Sequence, residues 1–260
     1  MKDDPTIPAD ARFETRAIHV GQDWRSETGA VIPPIYMTST FETGNPGGFD
    51  YTRSGNPNFR NLQATLASLE NAKHATIFAS GISSISAIMF SLKAGDTILS
   101  EQQIYGATYR LFERVLRRFD IKIKYADLTN PANYALIKDL KPALVWLESP
   151  TNPLLKILDI KAISDAAHKV GSIVAVDNTF ASSLLQQPLP RLFPVADLGA
   201  VGLDEENEFA FLIDTVGKRA ADHPFLFVVE GVALLDVPAD LDGARDLVDV
   251  LSAGTAGGDE

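Results

Sequence analysis

Residues 142–180, PALVWLESPTNPLLKILDIKAISDAAHKVGSIVAVDNTF, decide the fold. ALVWL is a short run apolar at every position, as expected of a strand buried on both faces. LDIKAISDAAHKV spaces its apolar residues at helical intervals, and SIVAV is a second apolar run. A strand, a helix and a strand within about forty residues make one βαβ unit with parallel strands.

The alternation continues toward the N-terminus. FRNLQATLASLENA, from residue 59, sets Leu62, Leu66 and Leu69 on one face and reads as a surface helix. HATIFAS reads as a short buried strand, and GISSISAIMFSLKAG as a helix closed by Gly95. DTILSEQ and IKIKYAD are strands; TYRLFERVLRRFD and PANYALIKDL are helices. The expected class is α/β, a mostly parallel sheet covered by helices on both faces.

Around this block lie two regions of different character. Residues 1–58 are rich in Pro, Gly, Thr and Ser, and Pro33 and Pro34 exclude a helix in GAVIPPIYMTSTF. Such an arm gains little by packing on itself and is expected to lie across another surface, a partner subunit's for example. Residues 1–190 carry 19 basic and 19 acidic side chains, whereas 191–260 carry 4 and 15, which accounts for the net charge of −11. The chain thus divides into an arm (1–58), an α/β domain (59–190) and a divergent acidic tail (191–260). In the tail, FAFLID and FLFVVEGVALL suggest two strands, ARDLVDVL a short helix, and SAGTAGGDE an end that frays.

Composition excludes several functions. The acidic balance opposes non-specific nucleic-acid binding. No run of about 18 apolar residues occurs, and the first residues have no apolar segment of the secretory type. Cysteine is absent, which removes disulfides and thiol nucleophiles and fits a cytoplasmic protein. His19, His74, His168 and His223 lack metal-ligand spacing, and no metal is expected.

Ligands of open α/β sheets collect beyond the carboxyl ends of the strands, and four candidate positions follow strands here. Gly81 and Ile82 open a helix whose first N–H groups suit a phosphate; a tight turn is the alternative. Tyr105, before a glycine at a helix start, suits stacking on an aromatic ligand, or is an ordinary core or surface tyrosine. Glu148 and Asn152 sit on a loop stiffened by Pro150 and Pro153, with a rigid turn and a solvated glutamate as the alternative. Asp177 ends an apolar run, where a carboxylate is costly unless something positive meets it; a local cap is the rival. Tyr51 and Arg53 lie in the arm, where arginine suits phosphate through its charge and planar fork.

Taken together, AIHVGQ, TGAVIPPIYMTSTF, YTRSGNPN, LASLENA, FASGISS, IYGATYRLF, WLESPTNPLLKILDI and VDNTFASSLLQQPL are specific. In this order, over about residues 15–189, they resemble the Cys/Met-metabolism family of pyridoxal-phosphate enzymes, the transsulfuration type. The resemblance implies the large domain of a fold-type-I transferase and an amino-acid substrate. It also implies elimination or replacement at the β or γ carbon, in cystathionine, homocysteine or methionine metabolism, and a homo-oligomer. It assigns the cofactor phosphate to Gly81 and Ile82, with Tyr51 and Arg53 reaching it from a neighbouring subunit. Tyr105 would stack on the pyridine ring and help position or deprotonate the substrate. Asp177 would pair with the ring nitrogen; Glu148 and Asn152 would belong to the motif that shapes the pocket, with Asn152 near the ring or the substrate carboxylate.

The likeness stops after Leu189. The family continues into hydroxyl residues and a Thr-Lys-Tyr segment, and its lysine both holds the cofactor covalently and moves the α-proton. Residues 192–217 contain no lysine, and Lys218, the only one beyond Lys169, stands in DTVGKRA, which matches nothing in the family. The smaller C-terminal domain of the family is also not visible. Three explanations are open: a truncated, frameshifted or joined gene; a homologue that only binds; or an enzyme that recruits Lys218 or a neighbouring chain. If the central sheet is to continue past SIVAV, the tail must supply its strands.

Overall fold

The computed structural model describes residues 7–8, 10–22, 29–72 and 75–189, together with two tail strands at 225–229 and 232–236. Seven strands form one sheet: β1 (Thr76–Ile77), β2 (Thr97–Glu101), β3 (Lys122–Ala126), β4 (Leu144–Glu148), β5 (Ile173–Asp177), β6 (Phe225–Val229) and β7 (Val232–Asp236). Their order is β1-β7-β6-β5-β4-β2-β3. β3, β2, β4, β5 and β6 run parallel; β7 is antiparallel to both β6 and β1. β1 therefore points the same way as β5, and six of seven carboxyl ends share one edge.

The sheet centre is buried as the apolar runs require. Every residue of β4 is buried, and Val145, Trp146, Leu147, Val174 and Ala175 are fully enclosed. Burial of a valine or leucine such as Val145, Leu147 or Val174 stabilises by about 1.5–3 kcal/mol. Helices α1 (Phe13–His19), α2 (Pro57–Leu69), α3 (Gly81–Met89), α4 (Gly106–Arg114), α5 (Ala135–Leu140), α6 (Ile160–His168) and the single turn α7 (Ser182–Leu185), with 3-10 helices at Leu116–Phe119 and Pro131–Tyr134, complete the described elements. In α6, Asp159 caps the helix by accepting the Ala162 N–H, and Ile160, Ile163 and Ala167 face inward at helical spacing.

Several sequence expectations are corrected. HATIFAS yields a strand of only two residues, half-buried, because β1 pairs on one side alone, with β7. α2 starts at Pro57, where Asn56 caps it, and buries Ala64, Ala67 and Leu69 while Leu62 stays exposed. A second segment approaches the helix closely at Asn61 and Thr65. Gly21, at φ +76°, lies where a Cβ would meet the Asn61 carbonyl oxygen at 2.2 Å, and Thr65 Oγ1 donates to the Val20 carbonyl. α3 ends at Met89, and Gly95 belongs to the turn before β2 instead of closing the helix.

The arm is not uniformly extended, since α1 forms within it and packs on α2. From residue 29 to 56 the expected lack of helix holds, with one isolated bridge between Thr40 and Tyr51. Val31, Ile32, Ile35 and Met37 are strongly exposed there. In the tail, FLFVVEGVALL makes two strands, not one, separated in sequence by Glu230 and Gly231 alone. They fill the central places beside β5, so the sheet does continue past SIVAV. FAFLID, ARDLVDVL and the final SAGTAGGDE lie outside the described residues.

Candidate active site

Because the strands that precede them point one way, Gly81 (after β1), Tyr105 (after β2), Glu148 and Asn152 (at and after β4) and Asp177 (at the end of β5) all come to the same sheet edge. α3 packs along β6 and β7 and also meets α4, which places the helix that Gly81 opens over the strands between β1 and β5.

Each position has its own local cause. Ser80 caps α3, its hydroxyl accepting the Ser83 N–H, and the N–H groups of Gly81 and Ile82 come before any intrahelical acceptor. That end of a nine-residue helix also carries the positive end of its dipole. Tyr105 is the N-cap residue of α4, and its ring is half exposed.

Asp177 is only 5% exposed. Its Oδ1 accepts both the Thr179 N–H (3.1 Å) and the Thr179 hydroxyl (2.6 Å), while Oδ2 has no donor among the described residues. Burial raises its carboxyl above the ordinary range, and the two bonds from Thr179 oppose that shift without any cation taking part. Local capping and unmet charge therefore coexist in one side chain.

Glu148 is not a solvated glutamate. It is buried, faces Asp177 across the β4–β5 pair, and accepts the Tyr105 backbone N–H at 2.6 Å. Burial first, then the nearby Asp177, pushes its carboxyl up to about 8. Asn152 is half-buried in the loop that follows. Tyr51 and Arg53 remain in the arm, where the Arg53 guanidinium sits 4.5 Å from the centre of the Tyr51 ring. Lys218 lies outside the described residues.

Two further features of the site were not singled out in the sequence. Gln186 and Asn178 tie the loops after β4 and β5 together: Gln186 Nε2 donates to the Ser149 carbonyl and to Asn178 Oδ1, both at 2.7 Å, and Asn178 Nδ2 donates back to the Gln186 carbonyl. Glu101, at the end of β2, is fully buried and accepts the N–H groups of Gln103 and Leu128. A polar residue at the end of an apolar run was the available signal for Glu101. Nothing local announces Gln186, whose partners are up to 37 residues away.

A parallel sheet with a helix N-terminus, an aromatic ring and an unmatched buried carboxylate at its carboxyl edge defines an α/β ligand-binding domain. Residues 14–195 match the family model described as Cys/Met metabolism PLP-dependent enzyme. The chain is 47% identical over 185 residues to a probable cystathionine gamma-synthase of Herpetosiphon aurantiacus, covering 69% of this chain and 57% of that protein. It is 43% identical over 199 residues to a cystathionine gamma-lyase of Dictyostelium discoideum, covering 75% and 50%. Among solved structures, metB from Corynebacterium glutamicum superposes with a TM-score of 0.72 at 30% identity, over 94% of this chain and 59% of that one. Cystathionine gamma synthase from Xanthomonas oryzae pv. oryzae, in complex with aminoacrylate and cysteine, gives 0.71 at 32% identity, over 95% and 60%. This chain belongs to the Cys/Met-metabolism family of pyridoxal-phosphate-dependent enzymes, and it spans 50% to 57% of the length of the two relatives above.

The family's cofactor is pyridoxal 5'-phosphate, a phosphorylated aromatic with a basic ring nitrogen. The residues present fit it. Oδ2 of Asp177, which no donor among the described residues meets, suits a protonated ring nitrogen, and the first turn of α3 suits a phosphate. Among the described residues no helix is long and apolar enough to cross a membrane.

Proposed function

We propose that this chain is the cofactor-binding part of a pyridoxal-phosphate-dependent transsulfuration enzyme of the cystathionine γ-synthase or γ-lyase type. Its substrate class is a sulfur amino acid or an activated homoserine, and its working state is a homo-oligomer. The observation that carries the reading is Asp177, a buried carboxylate with an unmatched oxygen at the carboxyl edge that the N-terminus of α3 also meets.

In this reading Asp177 holds the ring nitrogen protonated, and its own bonds from Thr179 keep it ionised and oriented. Gly81 and Ile82 bind the phosphate through backbone N–H groups. Tyr105 lies against the ring and helps position or deprotonate the substrate, and Asn152 stands near the ring or the substrate carboxylate. Tyr51 and Arg53 reach the phosphate of a second copy, and the exposed apolar stretch Val31–Met37 covers that copy's surface. Bound there, the cofactor supplies an electron sink for charge that develops beside the substrate's amino group.

The sequence limits what the chain does alone. No lysine stands between Lys169 and Lys218, so the cofactor is held by non-covalent contacts and the usual proton-moving amine is missing. This favours a second reading, a catalytically impaired homologue that binds cofactor and lends Tyr51 and Arg53 to another subunit.

Titration with pyridoxal 5'-phosphate, followed by borohydride reduction and peptide mapping, tests both. Saturable binding that is lost on dialysis, with no labelled lysine, is expected. A stoichiometric label on Lys218 would overturn the non-covalent part. Absence of any saturable binding would overturn the cofactor reading as a whole.

A further inference from the structure

Glu148 and Asp177 are cross-strand partners at the ends of β4 and β5. Side chains paired in this way point to the same face, about 4.8 Å apart at the backbone. Two carboxylates so placed and so buried oppose folding, and an apolar residue at either position would pack better. Asp177 has a use in the ring nitrogen. Glu148 has a different partner, the backbone of Tyr105.

That contact is specific. The Tyr105 N–H donates to Glu148 Oε2 at 2.6 Å, linking positions 43 residues apart. Tyr105 is the N-cap residue of α4 but makes no capping bond with its own side chain. Its carbonyl accepts the Tyr109 N–H in the first helical turn. Its backbone is therefore fixed from two sides, by α4 through the carbonyl and by β4 through the N–H. The ring, which is half exposed, stands wherever that backbone directs it.

We propose that Glu148 is a positioning residue: by holding the Tyr105 backbone, it sets where the tyrosine ring meets the cofactor that Asp177 grips from the next strand. This rests on the cofactor reading given above. One β4–β5 pair then fixes both the edge of the heterocycle, through Asp177, and its face, through Glu148 and Tyr105.

The charged groups facing Glu148 are Asp177 on β5 and Glu101 on β2, both acidic, with the Tyr105 N–H as the opposing donor. Protonated or not, Glu148 keeps an oxygen that accepts, so a glutamine preserves the contact and an alanine removes it. The bond should nevertheless report the ionisation of Glu148, because an N–H donating to a carboxylate is shorter and stronger than one donating to a neutral carbonyl.

The experiment uses the whole chain labelled with ¹⁵N-tyrosine, whose six tyrosines give a readable amide spectrum, with Tyr105→Phe supplying the assignment. In wild type the Tyr105 amide signal should move with a midpoint near the value of about 8 set by burial of Glu148, and Glu148→Gln should abolish that movement. Glu148→Ala should weaken pyridoxal 5'-phosphate binding roughly fivefold, as expected for a misplaced ring contact, while Glu148→Gln stays within about twofold of wild type. If the alanine variant does not fold, the wild-type and glutamine spectra still decide the contact. A Tyr105 amide signal that is the same in wild type and Glu148→Gln at every pH, or equal binding by wild type and alanine variant, overturns the positioning role alone. Failure of wild type to bind at all overturns the cofactor reading and this role with it.

Discussion

The sheet edge around Asp177 and the arm around Met37 break the ordinary sorting of residues in opposite directions. At the edge, carboxylates are buried: Asp177 and Glu148 are each 5% exposed on neighbouring strands. In the arm, large apolar side chains are bare, with Val31 84% and Met37 89% exposed. Scattered exposed apolar residues are common in any protein, but four within seven positions of one segment are a patch. Among the described residues nothing donates to the second oxygen of Asp177, and nothing covers the apolar stretch of the arm. The edge needs a cation that also has a face, and the arm needs an apolar surface. The difference teaches what each region suits: a small cationic molecule at the edge and, in the homo-oligomer proposed above, a second polypeptide at the arm.

The largest expected effect breaks the arm side of this contrast. Val31→Asp together with Met37→Asp should weaken self-association at least ~100-fold, since each places a charge in a buried contact. Sedimentation velocity over a concentration series measures this. Unchanged sedimentation would remove the arm from any interface.

Next comes the edge. Asp177→Asn should weaken pyridoxal 5'-phosphate binding roughly 10- to 100-fold, the value of one charge-assisted hydrogen bond of about 1.5–3 kcal/mol. Without cofactor, the same variant should be more stable than wild type at pH 9. A carboxyl raised in the folded state binds more protons folded than unfolded between its two pKa values. The stability it contributes is therefore present at low pH and lost as pH rises through the folded value. Equal binding by both proteins would break the link between buried charge and ligand.

A smaller effect sharpens the comparison by using a buried carboxylate away from the edge. Glu70, at the end of α2, is 1% exposed, neither of its oxygens has a hydrogen bond, and burial pushes it up to about 8. By the same sign, wild type should lose stability as pH rises from about 4.5 to 8. Glu70→Gln should raise the melting temperature at pH 9 by a few degrees while leaving cofactor binding unchanged. An equal gain at pH 5 and pH 9 would show that charge is not what Glu70 costs the fold.

Much of this is legible in the amino-acid sequence. The βαβ alternation from 97 to 177 follows from runs such as ALVWL and SIVAV, because a strand buried on both faces admits apolar residues only. Asp177 was legible for the same reason, as a charge where such a run ends. Leu62 stays exposed: periodicity shows which residues share a face and not what packs against it, and Ala64, Ala67 and Leu69 take the buried positions of α2. Of the two readings open for Glu148, a solvated glutamate fails, because neighbours on β5 and the Tyr105 backbone enclose it.

The sequence by itself determined the class of sheet and the family, since these reside in local pattern and in which residue types are present. Tertiary structure alone decided that the tail's FLFVV and VALLD complete the sheet beside β5, and that Glu148 meets Tyr105. Both depend on pairing between segments distant in the chain. Such pairing is fixed by the register and direction of strands in space, and no local run of residues encodes it.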